Sequence, residues 1–159
     1  MKKGTRGEAR IHVGAPPEKL YEMVSDITRI PEWSPECIRC QWIGGATGPV
    51  VGAQFKGTNK RGVARWSTKP RVVAAEPGRE FSFVANAIPV GDTTKWTYQF
   101  EPAAEGGTDV TESFEIVHDV PRYIVYGERL MGIKDRKADL EKNMQRTLER
   151  IKAVAEGSA

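Results

Sequence analysis

The sequence predicts an α+β domain in which a curved antiparallel sheet of about seven strands wraps around a long C-terminal helix. Three observations predict it. The last stretch, residues 128–156, has no proline, is rich in helix formers, and sets Leu130, Ile133, Leu140, Met144, Leu148, Ile151 and Ala155 in one apolar stripe at helical spacing. The middle of the chain is a run of alternating segments joined by short glycine- and proline-bearing turns, so neighbours pair antiparallel. The order is strand, two short helices, six strands, long helix, and only the last helix is large enough to cover an apolar sheet face.

Taken in order, residues 8–13 alternate as a first strand, with Ala9, Ile11 and Val13 on one side and His12 on the other. Pro16-Pro17 opens a helix that runs through Leu20, Tyr21, Met23, Val24 and Ile27. A short helical turn over 28–31 leads into Glu32-Trp33-Ser34-Pro35, where the prolines force an irregular path. Strands are expected at 37–43 and 54–58, the second closed by the hairpin signal Asn59-Lys60-Arg61-Gly62. A long strand over 63–75, kinked at Pro70, is followed by strands at 80–87, 93–100 and 108–117. A loop is expected at 88–92 and a connecting segment at 118–127. The terminal helix would be about 40 Å long at its ordinary rise per residue, with Gly157 as its stop.

A chain of 159 residues is most simply one domain, spanning 1–159. The net charge of +3 is spread along the chain, which argues against nucleic-acid binding. No apolar run approaches a membrane span, and no apolar segment follows the basic Met1-Lys2-Lys3 start, so the cytoplasm is the expected compartment. Cys37 and Cys40 are spaced as a C-x-x-C pair, but a strand points positions three apart to opposite faces and no second pair exists. They are expected to be ordinary thiols, one in the core; no metal or cofactor is expected.

Local motifs then carry a resemblance. Ala15-Pro16-Pro17-Glu18-Lys19-Leu20-Tyr21 opens the first helix, and Val24-Ser25-Asp26-Ile27-Thr28-Arg29-Ile30-Pro31-Glu32-Trp33 follows it. Gly52-Ala53-Gln54-Phe55 starts a strand and Ala75-Glu76-Pro77-Gly78-Arg79-Glu80-Phe81 makes a turn. Trp96-Thr97-Tyr98 is followed by Gly107-Thr108-Asp109-Val110-Thr111-Glu112. Together, over nearly the whole chain, these resemble the helix-grip fold of the START and birch-pollen-allergen (SRPBCC) superfamily, in its polyketide cyclase/dehydrase and lipid transport branch. The motifs are structural punctuation and name no reaction. The resemblance implies a deep, mostly apolar cavity between sheet and helix, suited to a hydrophobic ligand.

By strand parity Ile38, Cys40 and Trp42 face inward, as do Phe55, Trp66, Phe81, Phe83, Trp96, Tyr98 and Phe100. Such aromatics either fill a dry core or line a pocket, and the resemblance favours the pocket. The candidate ligand-binding residues are Trp33, Trp42, Phe55, Trp66, Phe83, Trp96, Tyr98, Phe114, Tyr123 and Tyr126, the two last at the entrance. Glu112 shares the inward face with Val110, Phe114 and Ile116, where a carboxylate needs a raised pKa or a cationic partner; Arg65 and Lys95 are candidates for that partner. Glu112, and His118 at the end of the last strand, are the candidate proton-transfer groups. The expected function is binding of a hydrophobic or aromatic small molecule, lipid or polyketide-like, by a monomer or homodimer. The alternatives are a polyketide aromatase/cyclase or dehydratase-type enzyme using the same cavity, and a partner-binding module.

Overall fold

The computed structural model describes residues 1–87, 91–130 and 132–157. The chain opens with β1 (Arg6–Val13), whose alternation turns Ala9, Ile11 and Val13 toward the core. Pro17 sits in the first turn of α1 (Pro17–Ser25), where a missing N–H costs nothing, and α1 buries Leu20, Tyr21, Met23 and Val24. The Asp26 side chain accepts a hydrogen bond from the Thr28 N–H and starts a short 3-10 helix, Ile27–Glu32. Then follow β2 (Cys37–Ile43), β3 (Gln54–Arg61), β4 (Ala64–Thr68), β5 (Arg71–Glu76), β6 (Glu80–Ala87), β7 (Gly91–Pro102) and β8 (Thr108–Ile116). The loop expected at 88–92 lies outside the described residues at Ile88, Pro89 and Val90; Gly91 and Asp92 belong to β7.

All pairings are antiparallel, and the sheet runs β1-β8-β7-β6-β5-β3-β2, with β4 paired to β3 off this path. The sheet curls around the C-terminal helix, and the architecture is the helix-grip fold. The strand expected over 63–75 is two strands. Lys69-Pro70 separates them, since proline has no N–H to continue a ladder; β4 stays with β3 while β5 crosses to β6. β3 and β5 pair at Gln54 and Arg71.

The C-terminal helix also divides. α2 (Arg122–Leu130) takes up much of the expected connecting segment, and α3 (Arg136–Ala155) is the gripped helix, 20 residues long. Gly132 has φ 84°, a left-handed conformation that stops a helix. The Asp135 carboxylate then accepts from the Ala138 N–H and restarts it. The apolar stripe is therefore broken at its first member: Leu130 is 88% exposed, whereas Ile133, Leu140, Met144, Leu148 and Ile151 are buried. Gly157, with φ 72°, ends α3 as expected. Leu148, Ile151 and Ala155 pack into the core with α1, Phe81 and Phe100, while Leu140 and Met144 pack with Phe114 and Ile116.

Strand parity fails at β2. A bulge between Cys37 and Arg39 shifts the register, so Cys37 and Cys40 are both buried and Ile38 is 46% exposed. The expectations that Ile38 faces inward and that the two thiols oppose one another are both corrected by that extra residue.

Candidate functional site

Between the inner sheet face and the helices lies a cavity of about 930 Å³. The strands build one wall by alternation, contributing Phe55 from β3, Trp66 from β4, Phe83 from β6, and Trp96 and Tyr98 from β7. Helix α3 contributes Leu140, Asn143, Met144 and Thr147, positions three and four apart on one face. Helix α2 contributes Ile124, Gly127 and Glu128 at the same spacing, and Trp33 enters from the segment after the 3-10 helix. Trp33 is almost fully buried, with the Arg29 guanidinium 5.3 Å from its ring centre.

Glu112 is the buried charge-bearing group of this wall. Register places it directly across from Tyr98, and the Tyr98 hydroxyl donates to Glu112 Oε1 at 2.8 Å. Oε2 is buried and has no hydrogen-bond partner. Burial pushes the Glu112 carboxyl up to about 8, and the Tyr98 hydrogen bond offsets only part of that. Burial likewise raises the Tyr98 phenol well above its ordinary range, reinforced by the neighbouring carboxyl. At neutral pH most molecules therefore carry a neutral, hydrogen-bonded acid in an apolar wall. The strand does not bulge here, and neither Arg65 nor Lys95 pairs with it: Arg65 is exposed on the β4 side of the cavity, and Lys95 lies across from Glu115.

A second polar cluster borders the cavity. Arg136 at the start of α3 reaches Glu36 at 3.4 Å, Glu128 at 3.5 Å and Asp139 at 2.6 Å. Arg61 from β3 reaches the same Asp139 oxygen at 2.8 Å. Burial works to raise Asp139, but the Arg61 hydrogen bond and both guanidinium charges outweigh it and hold its carboxyl low. Glu128 is raised by burial, with Arg136 pulling the other way. This cluster ties α2, α3, β3 and the approach to β2 together.

The cavity thus brings together Trp33, Phe55, Trp66, Phe83, Trp96, Tyr98 and Glu112. Five other candidates lie elsewhere. Trp42 packs edge-on against Phe55 at 5.8 Å, and Phe114 packs on Trp96 at 5.7 Å, each behind a lining residue. Tyr123 and Tyr126 are 58% and 68% exposed on the outer side of α2, because its inner side is taken by Ile124, Gly127 and Glu128. His118 is exposed, with Nδ1 2.9 Å from the Asp92 carbonyl oxygen, and does not line the cavity. Sequence reasoning missed the α2 face and the Arg136 cluster. The α2 spacing was present in the chain, masked by treating Gly127 as the end of a connector. The Arg136 contacts join residues up to 100 positions apart, and no local pattern reveals them. Among the described residues no group of three or more His, Cys, Asp or Glu side chains could hold a metal ion.

The family model described as polyketide cyclase/dehydrase and lipid transport matches residues 5–156. The chain belongs to that family. Among solved structures, the Polyketide_cyc-like protein Cgl2372 of Corynebacterium glutamicum is 35% identical, with 99% of this chain and 95% of that one covered and a TM-score of 0.64. The di-domain ARO/CYC StfQ of the steffimycin biosynthetic pathway is 17% identical over 98% of this chain and 52% of its own, with a TM-score of 0.76. Ginseng (Panax ginseng) major latex-like protein 151 is 13% identical over 96% of this chain and 98% of that one, with a TM-score of 0.70. The last two likenesses show the fold alone. No curated protein matches the sequence. Among the described residues of this polyketide cyclase/dehydrase-family chain, no helix is long and apolar enough to cross a membrane.

Proposed function

We propose that the protein binds a hydrophobic or aromatic small molecule, lipid or polyketide-like, in the cavity between sheet and helices. The observation that carries this reading is the cavity itself: about 930 Å³ walled mainly by aromatic and aliphatic side chains, with a buried acid-phenol pair in the wall. That volume falls in the range of small-molecule sites, which combine apolar walls with few polar anchors. Burying apolar ligand surface contributes roughly 25 cal/mol per Å². Family membership supports the same reading.

A second reading is favoured by one observation. Burial pushes the Glu112 carboxyl up to about 8 beside Tyr98, and an acid balanced near the working pH can give and take a proton in an aromatase/cyclase or dehydratase-type reaction. The wall would then also hold a reactive chain in a near-attack shape.

Native mass spectrometry of protein purified from its own host, followed by extraction of bound molecules, tests the binding reading. A co-purifying lipid or aromatic compound is the expected result. Failure both to retain such a compound and to take up a fluorescent hydrophobic probe would sink it. With an extracted compound in hand, turnover lost in Glu112→Gln while affinity persists would establish the enzymatic reading.

A further inference from the structure

We propose that Cys37 and Cys40 are a reversible dithiol–disulfide site on the wall of the cavity, oxidised there by a small hydroperoxide. The proposal stands apart from the cavity-binding reading, since it needs room for an oxidant and no resident ligand. Its first warrant is the register of β2. Three positions apart on a regular strand, two thiols would point to opposite faces. The bulge between Cys37 and Arg39 takes up one residue, so Cys37 stands across from Asn59 and Cys40 across from Gly57. Those partners are two apart on β3, which sets the cysteines on one face, roughly 6.6 Å apart at a strand's rise per residue. A disulfide bridges that span without large movement of the backbone.

The second warrant is access. Cys37 and Cys40 are shielded from outside, at 8% and 7% exposed, yet both line the cavity. Gly57, across from Cys40, brings no side chain to that wall. A Cβ there would stand 3.8 Å from the Cys40 sulfur and 3.2 Å from Thr68 Oγ1. Glycine therefore leaves the sulfur without a cover from β3. β2 is the edge strand of the sheet, next to β3, so drawing the two sulfurs together disturbs the end of the sheet and not its middle.

The third warrant is that the two sulfurs differ. They hydrogen-bond to each other. That bond holds the Cys37 thiol below its ordinary range, with burial opposing and the Arg39 backbone assisting. The same bond, together with burial, holds Cys40 well above its own. The thiolate is the nucleophile, so Cys37 attacks and Cys40 resolves. In the first step the Cys37 sulfur bonds to a peroxide oxygen as the O–O bond breaks. The departing alkoxide takes the Cys37 proton and leaves as an alcohol, or as water from hydrogen peroxide. In the second the Cys40 sulfur bonds to the Cys37 sulfur as the S–O bond breaks, and hydroxide leaves as water with the Cys40 proton. Two thiols are oxidised and one peroxide is reduced.

Hydrogen peroxide is the probe, added in small excess to the reduced wild-type protein in air-free buffer and followed by intact mass and by titration of free thiols. The expected result is loss of two hydrogens and of both thiols together in a monomeric chain, reversed by dithiothreitol. Trypsin cuts between Arg39 and Cys40, so the disulfide should hold the peptides 30–39 and 40–56 together. Cys40→Ser should stop at a Cys37 sulfenic acid that dimedone traps. Cys37→Ser should slow oxidation of the remaining thiol by about tenfold or more, because the thiolate fraction sets the rate. Thiols that stay reduced in the folded protein, while the same peroxide oxidises them in urea, would overturn the proposal and leave them as core packing. Disulfide-linked dimers, or a Cys37 sulfinic acid in place of the internal bridge, would overturn it as well. If a serine variant does not fold, the mass and thiol titration of the wild type decide.

Discussion

The cavity has two acidic regions, and they solve the problem of a partly desolvated carboxyl in opposite ways. At the α2–α3 junction Glu36, Glu128 and Asp139 surround Arg136, and Arg61 adds a second cation on Asp139. At the β7–β8 pair Glu112 has no cation and one phenol. In the first region two guanidinium groups stand within hydrogen-bond reach of Asp139 and hold its carboxyl low against partial burial. The second is drier, and burial there favours the neutral form. One cavity thus has an ion-paired border and an interior where burial favours a neutral acid. The border ties the helices to the sheet.

The largest expected effect falls on the interior. The folded value of Glu112 is raised from 4.5 to about 8, so between those pH values the folded state holds a proton that the unfolded state has released. Stability from this group therefore falls as pH rises across that window and levels off above it. Glu112→Gln has no proton to lose, and its stability relative to wild type should rise by about 4 kcal/mol between pH 5 and pH 9. Urea unfolding of both proteins at pH 5 and pH 9 measures the difference, and an equal offset at the two pH values would place Glu112 in a wetter setting than the one described. Asp139 behaves with the opposite sign: its carboxyl is held low, so its contribution is present above the ordinary carboxylate value and is lost as pH falls below it.

The next effect falls on the border. Arg136→Ala leaves Glu36 and Glu128 without their cation and should destabilise the fold by about 2 kcal/mol, less than breaking a fully buried ion pair costs, because the cluster is partly solvated. Added salt should lessen that loss, while leaving the pH-dependent gain of Glu112→Gln almost untouched, because screening reaches exposed charges and not buried ones. Amide exchange in α2 should quicken in this variant, since Glu128 is α2's tie to Arg136.

Tyr98→Phe removes the donor to Oε1. It should cost about 1 kcal/mol and push the Glu112 titration further up, because the lost hydrogen bond is the one influence lowering it. An infrared titration of the buried carboxyl reads that shift, and a downward movement would contradict the assigned donor direction. The smallest effect is expected at the Arg6–Glu115 pair, whose side chains are 74% and 38% exposed; Arg6→Ala should change stability by less than about 0.5 kcal/mol in the same urea assay.

Much of this was legible in the chain alone. The alternation of Val110, Glu112, Phe114 and Ile116 placed a carboxyl on the inner face, because a strand has one repeat and a single odd residue within it stands out. The stripe from Leu140 to Ala155 marked the gripped helix for the same reason, at its own period. Tyr98 was placed on the correct face, yet its pairing with Glu112 depended on the register of two strands, which no single strand carries. The bulge at Cys37 and the left-handed Gly132 each shifted the pattern locally and moved Ile38 and Leu130 outward.

Local periodicity thus determined which elements form and which way most side chains face, since those depend on neighbours a few residues away. Only the tertiary structure decided what those side chains meet. Arg136 finds Glu36 from 100 positions along the chain, and Glu112 meets a phenol instead of a cation because the sheet brings β7 and no basic side chain to it. Such meetings, and the burial that raises the Glu112 carboxyl, arise from packing distant segments around shared space, a property held by no stretch of the sequence on its own.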